Sequence, residues 1–186
     1  MNHIVFQSKC QGYSHIKSDL ECQDSTLVKK TEKYAIAVVA DGHGSASYFR
    51  SSRGSLFATE AAITAIEELL ETILSDKSNM DDFCASIDKH LIQLERSVIA
   101  RWHERVEDDY SKNPFLDSEI LKVDEKHKEK YLKGERIEAA YGSTLIAVAC
   151  TDAFWFGIHI GDGKCITCDY SGNFAEPAAP DPSLHR

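Results

Sequence analysis

The hydrophobic and polar positions of this chain of 186 residues change their spacing twice. Short apolar runs of strand character come first, at residues 3–13, 26–29 and 34–40. From Ser55 onward the apolar residues recur at helical spacing, and after Ala140 short apolar runs return. The pattern therefore predicts strands in both end regions of the sequence, with helices between them.

Two amphipathic helices are predicted in the middle of the chain. The first covers residues 55–75, and the second runs from an N-cap at Asp81 or Asp82 to about residue 107. Apolar residues three or four positions apart mark one face of each helix. These residues are Ala62, Ile66, Leu69 and Ile73 in the first helix and Ile87, Leu91, Leu94 and Val98 in the second.

The segment 111–138 is highly charged and contains one weak helical pattern, at residues 117–133. Charges of both signs are mixed along it, which is more typical of a solvated helix and loop than of a tail that binds a charged partner. We therefore expect this segment to lie on the surface.

Three further strands are predicted after residue 140, in "STLIAVAC", "AFWFGIHI" and "KCITCDY". The connections "TDA" and "GDG" are short enough for hairpins, so these strands form an antiparallel meander. Strands, then helices, then strands indicate an α+β fold with segregated layers rather than alternating βαβ units.

The charge balance argues against two classes of partner. The chain has 30 acidic and 21 basic residues and a formal net charge of -9, so its average surface repels nucleic acid and anionic lipid. The N-terminal residues do not form a basic segment followed by a long apolar core, and no run approaches the roughly 18 apolar residues of a membrane span. We expect a cytoplasmic protein with neither nucleic acid nor a membrane as partner.

Six cysteines are scattered through the chain, so reduced thiols are expected rather than a disulfide framework. Cys165 and Cys168 form a C-x-x-C pattern, which elsewhere is found in zinc and redox sites. Here the pattern lies in a predicted strand, where residues three apart point to opposite faces. This geometry favours packed or edge cysteines over a metal site.

The most informative stretch is "YAIAVVADGHGSAS", residues 34–47. An apolar strand ends at Asp41, and Gly42 allows a close backbone approach through which its carbonyl oxygen could coordinate a hard cation. His43 adds a group that can act as a general acid near neutral pH. An Asp-Gly pair after a strand is also the ordinary composition of a turn, so this stretch alone leaves both interpretations open.

Two other aspartates change the balance between these interpretations. Asp24, in "ECQDST", comes shortly before the strand that leads to Asp41, and Asp162 lies in the predicted turn "GDG". Asp24 could cap a turn, and an Asp-Gly pair such as that at Asp162 is a strong hairpin signal in itself. The combination is harder to attribute to turns alone.

The order of these motifs resembles that of the metal-dependent Ser/Thr protein phosphatases of type 2C. The motifs are Q-D, an apolar strand followed by D-G-H-G, "YGSTLIAVA" with Gly142, Ser143 and Thr144, and finally G-D-G, and the resemblance spans residues 10 to about 175. It implies a single domain, residues 1–186, built as an antiparallel β-sandwich flanked by helix pairs in αββα layers. It also implies two Mn²⁺ or Mg²⁺ ions, with a third as a further option.

The resemblance assigns roles to five residues. Asp41 corresponds to the carboxylate that bridges both metal ions, and Gly42 to the residue that offers its carbonyl to one of them. His43 corresponds to the acid that protonates the leaving serine or threonine oxygen. Asp24 matches the aspartate of the N-terminal acidic motif, and Asp162 matches an aspartate that helps to hold a further, weaker metal. Thr144 is expected to pack and form hydrogen bonds rather than to react.

The chain departs from the family pattern around the phosphate. Many members carry an arginine a few residues before the first aspartate, but "SDLECQD" has none, so the substrate-binding residues are unknown. Lys17, Arg50 and Arg53 are candidate substitutes, although a lysine or arginine is usually only a surface charge. Gly163 and Lys164 stand where serine and arginine are common.

The chain also departs from the pattern in its last part. The family uses two more metal-binding aspartates, in a D-G and a D-N pair, whereas Asp169 is followed by tyrosine and Asp181 by proline. The domain is therefore expected to be incomplete at its C-terminus, either as a piece of a longer phosphatase or as a short relative. Fewer carboxylates weaken a Mg²⁺ or Mn²⁺ site, and missing strands would expose a sheet edge.

Two functions follow from these expectations. The first is metal-dependent hydrolysis of phosphoserine and phosphothreonine on proteins by a metal-activated water, in signalling opposed to a Ser/Thr kinase. In this function the cysteines are spectators. The alternative is a catalytically incomplete, phosphatase-like binding or regulatory module.

Overall fold

The computed structural model describes residues 3–17 and 21–177, with the side chain of Ser14 excepted. Four strands form an antiparallel sheet in the order β1-β2-β3-β4, and two short strands pair separately as β5-β6. The strands are β1 (Ser25–Lys30), β2 (Tyr34–Ala40), β3 (Leu145–Thr151), β4 (Trp155–Ile160), β5 (Thr167–Cys168) and β6 (Phe174–Ala175). The helices are α1 (Tyr13–Lys17), α2 (Ser51–Ile73), α3 (Lys77–Ala85), α4 (Ile87–Lys112), α5 (Asp117–Ile120), α6 (Glu125–Leu132) and α7 (Ile137–Ala140).

The predicted α+β class is confirmed, and so are the strands on which the site depends. β2 has the predicted bounds, β1 is one residue longer at each end than predicted, and β3 and β4 form the first hairpin of the predicted meander. The prediction of a third strand in the meander is wrong, because β5 contains only two residues and pairs with β6 instead of β4. The strand at 3–13 is also wrong: residues 3–12 have no regular secondary structure and do not pair with any described strand, and α1 begins at Tyr13.

The predicted helices exist with different boundaries. α2 begins four residues before Ser55, and the second predicted helix is divided at Ser86 into α3 and α4. The predicted N-cap at Asp81 or Asp82 is wrong, because the Asp76 side chain accepts a hydrogen bond of 3.0 Å from the Asn79 backbone N–H. The break at Ser86 lets α3 bury Phe83 against the aromatic side chains of the β3–β4 hairpin region while α4 follows α2.

Most residues of the charged segment 111–138 are exposed, as predicted, but the segment has more regular structure than expected and some of its side chains are buried. It forms three short helices, α5, α6 and α7, instead of one. Ile120, Val123 and Tyr131 are buried in it and pack in a second apolar cluster with Val106 and Tyr141. The apolar residues are too sparse to give a clear helical period. Leu116, Leu121 and Leu132 stay exposed while the first three are buried, a distinction that charge patterning does not reveal.

The main core lies between one face of the four-stranded sheet and the helices α2, α3 and α4. Small side chains on α2 let its backbone approach the sheet closely, including buried Ser55 and Thr59. The Ser55 hydroxyl donates to the Gln23 carbonyl at 2.5 Å, and the Thr59 hydroxyl lies 3.0 Å from the Ser25 hydroxyl. These hydrogen bonds fix the start of β1 against α2.

The opposite face of the sheet is less covered in the described part of the chain. Val39 is 46% exposed and Trp155 is 51% exposed, both on this face. Within residues 3–17 and 21–177, the second sheet is limited to the β5-β6 hairpin. The helix pair over one sheet is thus present, whereas the second half of the expected αββα stack is not among the described residues.

A buried arginine joins α2 to the end of α4 and to the segment that follows it. Arg50 is only 6% exposed, and its guanidinium donates to both Glu119 carboxylate oxygens at 2.9 and 2.8 Å. It also donates to the Asn113 and Pro114 carbonyls and to the Tyr141 hydroxyl. All five N–H donors of the guanidinium therefore have partners, as a buried charge requires.

Two carboxylates of this network make the fold sensitive to acid. Burial alone would raise the pKa of Asp109, but hydrogen bonds from Tyr141 and Arg53 outweigh it and lower that pKa. Burial also opposes ionisation of Glu119, but the hydrogen bonds from Arg50 and the Leu116 backbone lower its pKa. Ionised forms that are favoured in the folded state contribute stability at neutral pH.

We expect the free energy of unfolding to fall as the pH drops below about 4, the range in which unfolded carboxylates titrate. The contribution is complete above the unfolded pKa values and is lost as the pH passes down through the lowered folded values. Urea denaturation between about pH 6 and pH 3 measures this slope. The double variant Asp109→Asn with Glu119→Gln should be less stable at neutral pH but lose less on acidification, and an unchanged slope would contradict the assignment.

Candidate active site

The register of the sheet brings the candidate residues to one end of it. Ser25 pairs with Ala40, so Asp24, just before β1, and Asp41, just after β2, lie next to each other at the same end of the sheet. Leu145 pairs with Ile160, which places Asp162 two residues beyond the same end of the sheet. Because neighbouring antiparallel strands run in opposite directions, the starts of β1 and β3 and the ends of β2 and β4 lie at this one end of the sheet.

Three carboxylates interact at this end of the sheet. Burial raises the pKa of Asp41, and the charge of Asp24 together with a hydrogen bond shared between the two carboxyl groups raises it further. The charge of Asp162 acts in the same direction, whereas His43 acts in the opposite one. The other three residues named from the sequence are therefore close enough to Asp41 to influence its charge state, and a cation placed beside Asp41 would relieve the repulsion.

The backbone around Asp41 is held by hydrogen bonds from both neighbouring segments. The Thr144 N–H donates to the Asp41 carbonyl at 2.8 Å, and the Asp41 N–H donates to the Thr144 hydroxyl at 3.2 Å. The Gly42 N–H donates to the Gln23 carbonyl at 3.2 Å. A Cβ at Gly42 would lie 2.6 Å from that carbonyl oxygen, so only glycine fits where the two backbone segments come this close.

The loop that carries His43 is fixed to the segment before β3. The His43 N–H donates to the Gly142 carbonyl at 3.0 Å, and the Arg50 N–H donates to the Ala140 carbonyl at 2.8 Å. The imidazole packs edge-on against the Tyr48 ring, with 4.5 Å between the ring centroids. The loop therefore fixes the direction of the imidazole while the side chain remains exposed to solvent.

A cavity of about 400 Å³ opens beside the carboxylates. Asp24, Asp41 and Thr144 line it, together with Lys9 and Lys164. The Lys9 ammonium donates to the Asp24 carbonyl at 3.3 Å, and the Lys164 ammonium lies 3.7 Å from a Glu176 carboxylate oxygen. The cavity thus combines carboxylates with two ammonium groups, a composition suited to a metal-assisted phosphate site.

Among the cations considered from the sequence, Arg50 is not available to a phosphate, because its donors are engaged in the buried network. Arg53 donates to both Asp109 oxygens at 3.2 and 3.0 Å. The Lys17 ammonium lies 4.7 Å from the centroid of the Tyr13 ring. Sequence reasoning missed Lys9, because residues 3–13 were interpreted as a strand without a role in the site.

The oxygen ligands at this site are of the type that Mg²⁺ and Mn²⁺ prefer, but they are few. Within residues 3–17 and 21–177, no three His, Cys, Asp or Glu side chains are close enough together to bind one metal ion between them. The adjoining Asp24 and Asp41 do fit Mg²⁺, which in proteins is commonly bound by one or two carboxylates together with waters and phosphate oxygens. Asp169 closes its own turn through hydrogen bonds to Ser171 and Asn173, and Asp181 lies outside the described residues.

Two of the cysteines lie at the site, since Cys10 lines the carboxylate cavity and Cys22 approaches Asp24. All six lie in the described part of the chain and are free thiols, as predicted. The Cys22 thiol lies 3.7 Å from an Asp24 carboxylate oxygen, which the sequence did not suggest. No helix of the described residues is long and apolar enough to cross a membrane.

Carboxylates, a histidine and ammonium groups meet at one end of an α+β sheet, a composition that suits metal-assisted phosphate chemistry. The family model described as "Protein phosphatase 2C" matches residues 11–186. The chain belongs to the protein phosphatase 2C family. A search among curated proteins gives no match.

Proposed function

We propose that this protein hydrolyses phosphoserine and phosphothreonine on other proteins, in signalling opposed to a Ser/Thr kinase. The observation that carries the proposal is the meeting of Asp24, Asp41 and Asp162 beside His43 at one end of the sheet. Family membership supports the same activity and the use of Mn²⁺ or Mg²⁺. We propose the cytoplasm as its location.

Each residue of the site has a task in this proposal. Asp24, Asp41 and the Gly42 carbonyl hold the metal ions, and Asp162 helps to hold a further one. The bound metal supplies an activated water and stabilises charge on the phosphate oxygens. His43 donates a proton to the serine or threonine oxygen as it leaves, and Lys9 and Lys164 attract the phosphate dianion into the cavity.

The alternative is a phosphatase-like module that binds phosphoproteins or regulates a partner without hydrolysing them. It is favoured by one observation, namely that the described residues do not contain three metal-binding side chains in mutual reach. Hydrolysis of phosphate monoesters needs very large rate enhancement, so a weakened metal site affects turnover before it affects binding.

One experiment separates the two functions. Initial rates on a phosphothreonine peptide are measured with Mn²⁺, with Mg²⁺ and with a chelator, for the wild-type chain and for His43→Gln. We expect metal-dependent turnover that falls by about 10²- to 10⁴-fold in the variant, as for loss of a general acid, while metal binding measured by calorimetry is retained. Peptide binding without turnover in the wild type would support the regulatory module instead.

A glycine next to the site provides a further prediction. A Cβ at Gly142 would lie 2.6 Å from His43 Nδ1, so Gly142→Ala should displace the imidazole. Because a misplacement of about 1 Å can cost about 10²-fold in rate, we expect a loss of this order in kcat with metal affinity unchanged. Gly44→Ala is the matched control, since its Cβ would meet nothing closer than 3.6 Å. Equal rates for the two variants would contradict the role of Gly142.

A further inference from the structure

A second cavity, of about 210 Å³, lies against His43 and differs in character from the carboxylate cavity. His43 and Ser143 line it on the side of the site, and Ile99, Trp102, Leu145 and Ile160 form apolar walls. Thr144 borders both cavities. The residues that line this second cavity include no Asp, Glu, Lys or Arg.

Regular elements hold the walls of this apolar cavity in place. Trp102 and Ile99 belong to α4, and Leu145 and Ile160 begin β3 and end β4. The Trp102 indole N–H donates to the Gly54 carbonyl of α2 at 3.0 Å, which fixes the plane of the ring. Leu145 is buried at the base, and Ile99 is 43% exposed at the rim. The cavity is therefore a preformed recess that is open to solvent.

We propose that this recess binds an apolar side chain of the phosphoprotein substrate, next to the phosphorylated residue. The inference rests on the proposed function, because it takes His43 as the group beside the leaving oxygen. That oxygen must come within about 3 Å of the imidazole, and consecutive Cα atoms are about 3.8 Å apart. A residue one or two positions from the phosphorylated one therefore reaches the cavity that the same imidazole lines.

The size and lining of the recess define the side chains that it accepts. An apolar protein cavity of about 150 Å³ holds a benzene molecule, so a leucine, methionine or phenylalanine side chain fits here. A lysine or arginine side chain would lose its hydration without gaining an ion pair, because the lining contains no carboxylate. The recess thus selects substrates with a large apolar residue close to the phosphoserine or phosphothreonine.

A set of phosphoserine peptides tests this inference. All flanking residues are alanine except for a single leucine, which is moved from three residues before the phosphoserine to three residues after it. We expect kcat/KM to be at least about tenfold higher for leucine at one position, the effect of filling a hydrophobic pocket. Ile99→Gln should remove this preference. Ile92→Gln is the matched control, because Ile92 is 49% exposed on the same helix and does not line the recess.

Binding is measured independently of turnover. The chain has two tryptophans, so in a Trp155→Phe background the fluorescence of Trp102 reports occupation of the recess by phosphonate analogues of the same peptides. A leucine-dependent fluorescence change that Ile99→Gln abolishes supports the inference even if no peptide is hydrolysed, a result that would count against the proposed function alone. Equal affinity and equal kcat/KM for all leucine positions, or a preference that survives Ile99→Gln, would overturn it.

Discussion

Asp41→Asn is expected to abolish metal-dependent hydrolysis and to raise the stability of the metal-free protein at the same time. Asp41 is the carboxylate on which Asp24 and Asp162 both act, so replacing its charge removes a ligand as well as a repulsion. The asparagine amide can donate a hydrogen bond to Asp24, which the carboxylate cannot do when ionised. The sign follows from linkage, since a carboxyl whose pKa is raised by folding disfavours the folded state at neutral pH.

Thermal unfolding with and without Mn²⁺ measures both parts of this prediction. In the wild type, saturation at about a hundred times Kd stabilises the fold by about 2.7 kcal/mol, and Asp41→Asn should lose this metal-dependent shift. Activity should fall by more than the roughly 100-fold that follows loss of a residue supporting a metal ligand. Asp81→Asn makes the same charge change at an exposed position of α3 and should leave both readouts unaltered. A metal-dependent shift that persists in Asp41→Asn would refute the metal site.

The largest effect on stability is expected for Arg50→Met. The guanidinium satisfies two carbonyls, the Tyr141 hydroxyl and the Glu119 carboxylate in a site that is nearly closed to solvent. Removing one partner of a buried ion pair costs about 3–5 kcal/mol, because the other charge is left without compensation. For a chain of this length the unfolding temperature should fall by about 10 °C.

Arg53→Met is the matched comparison for Arg50→Met. Arg53 lies one helical turn away on α2, pairs with Asp109 and has a side chain that is 49% exposed. An exposed ion pair contributes only about 0–1 kcal/mol, so the two variants should differ several-fold in free energy of unfolding. Urea denaturation of both variants measures this difference, and equal losses would show that Arg50 is not the centre of the network.

The candidate metal ligands could be found in the sequence because each follows or precedes a strand with a clear hydrophobic pattern. β2 was predicted with its observed ends, and once its end is known the position of Asp41 at a sheet edge follows. Asp24 and Asp162 could be paired with it only through the order of motifs, since strand register is a tertiary property. Lys9 and Tyr48 gave no such signal, because the first belongs to an irregular segment and the second to a single 3-10 turn, Ala46–Tyr48.

The charged segment shows why burial escapes sequence patterns. Residues 111–138 contain charges of both signs, and their few apolar residues lack a regular period. The structure buries Tyr131 and Ile120 in a cluster with the end of α4, and burial raises the pKa of the Tyr131 hydroxyl, which donates to the Ser47 carbonyl at 2.7 Å. An isolated aromatic residue among lysines is buried or exposed according to its neighbours in space, and those neighbours are distant in sequence.

The sequence by itself determined the α+β class and the ends of β2, because the local hydrophobic period carries this information. The order of its motifs also indicated the phosphatase family. Only the tertiary structure decided which cations are free to meet a phosphate. Arg50 and Arg53 were candidates for binding phosphate in the sequence and Lys9 was not, but the packing of α2 against α4 and α5 engages both arginines in pairs with carboxylates, whereas Lys9 lines the cavity. The physical reason is that the cost of burying a charge depends on partners that the fold brings together from far apart in the chain.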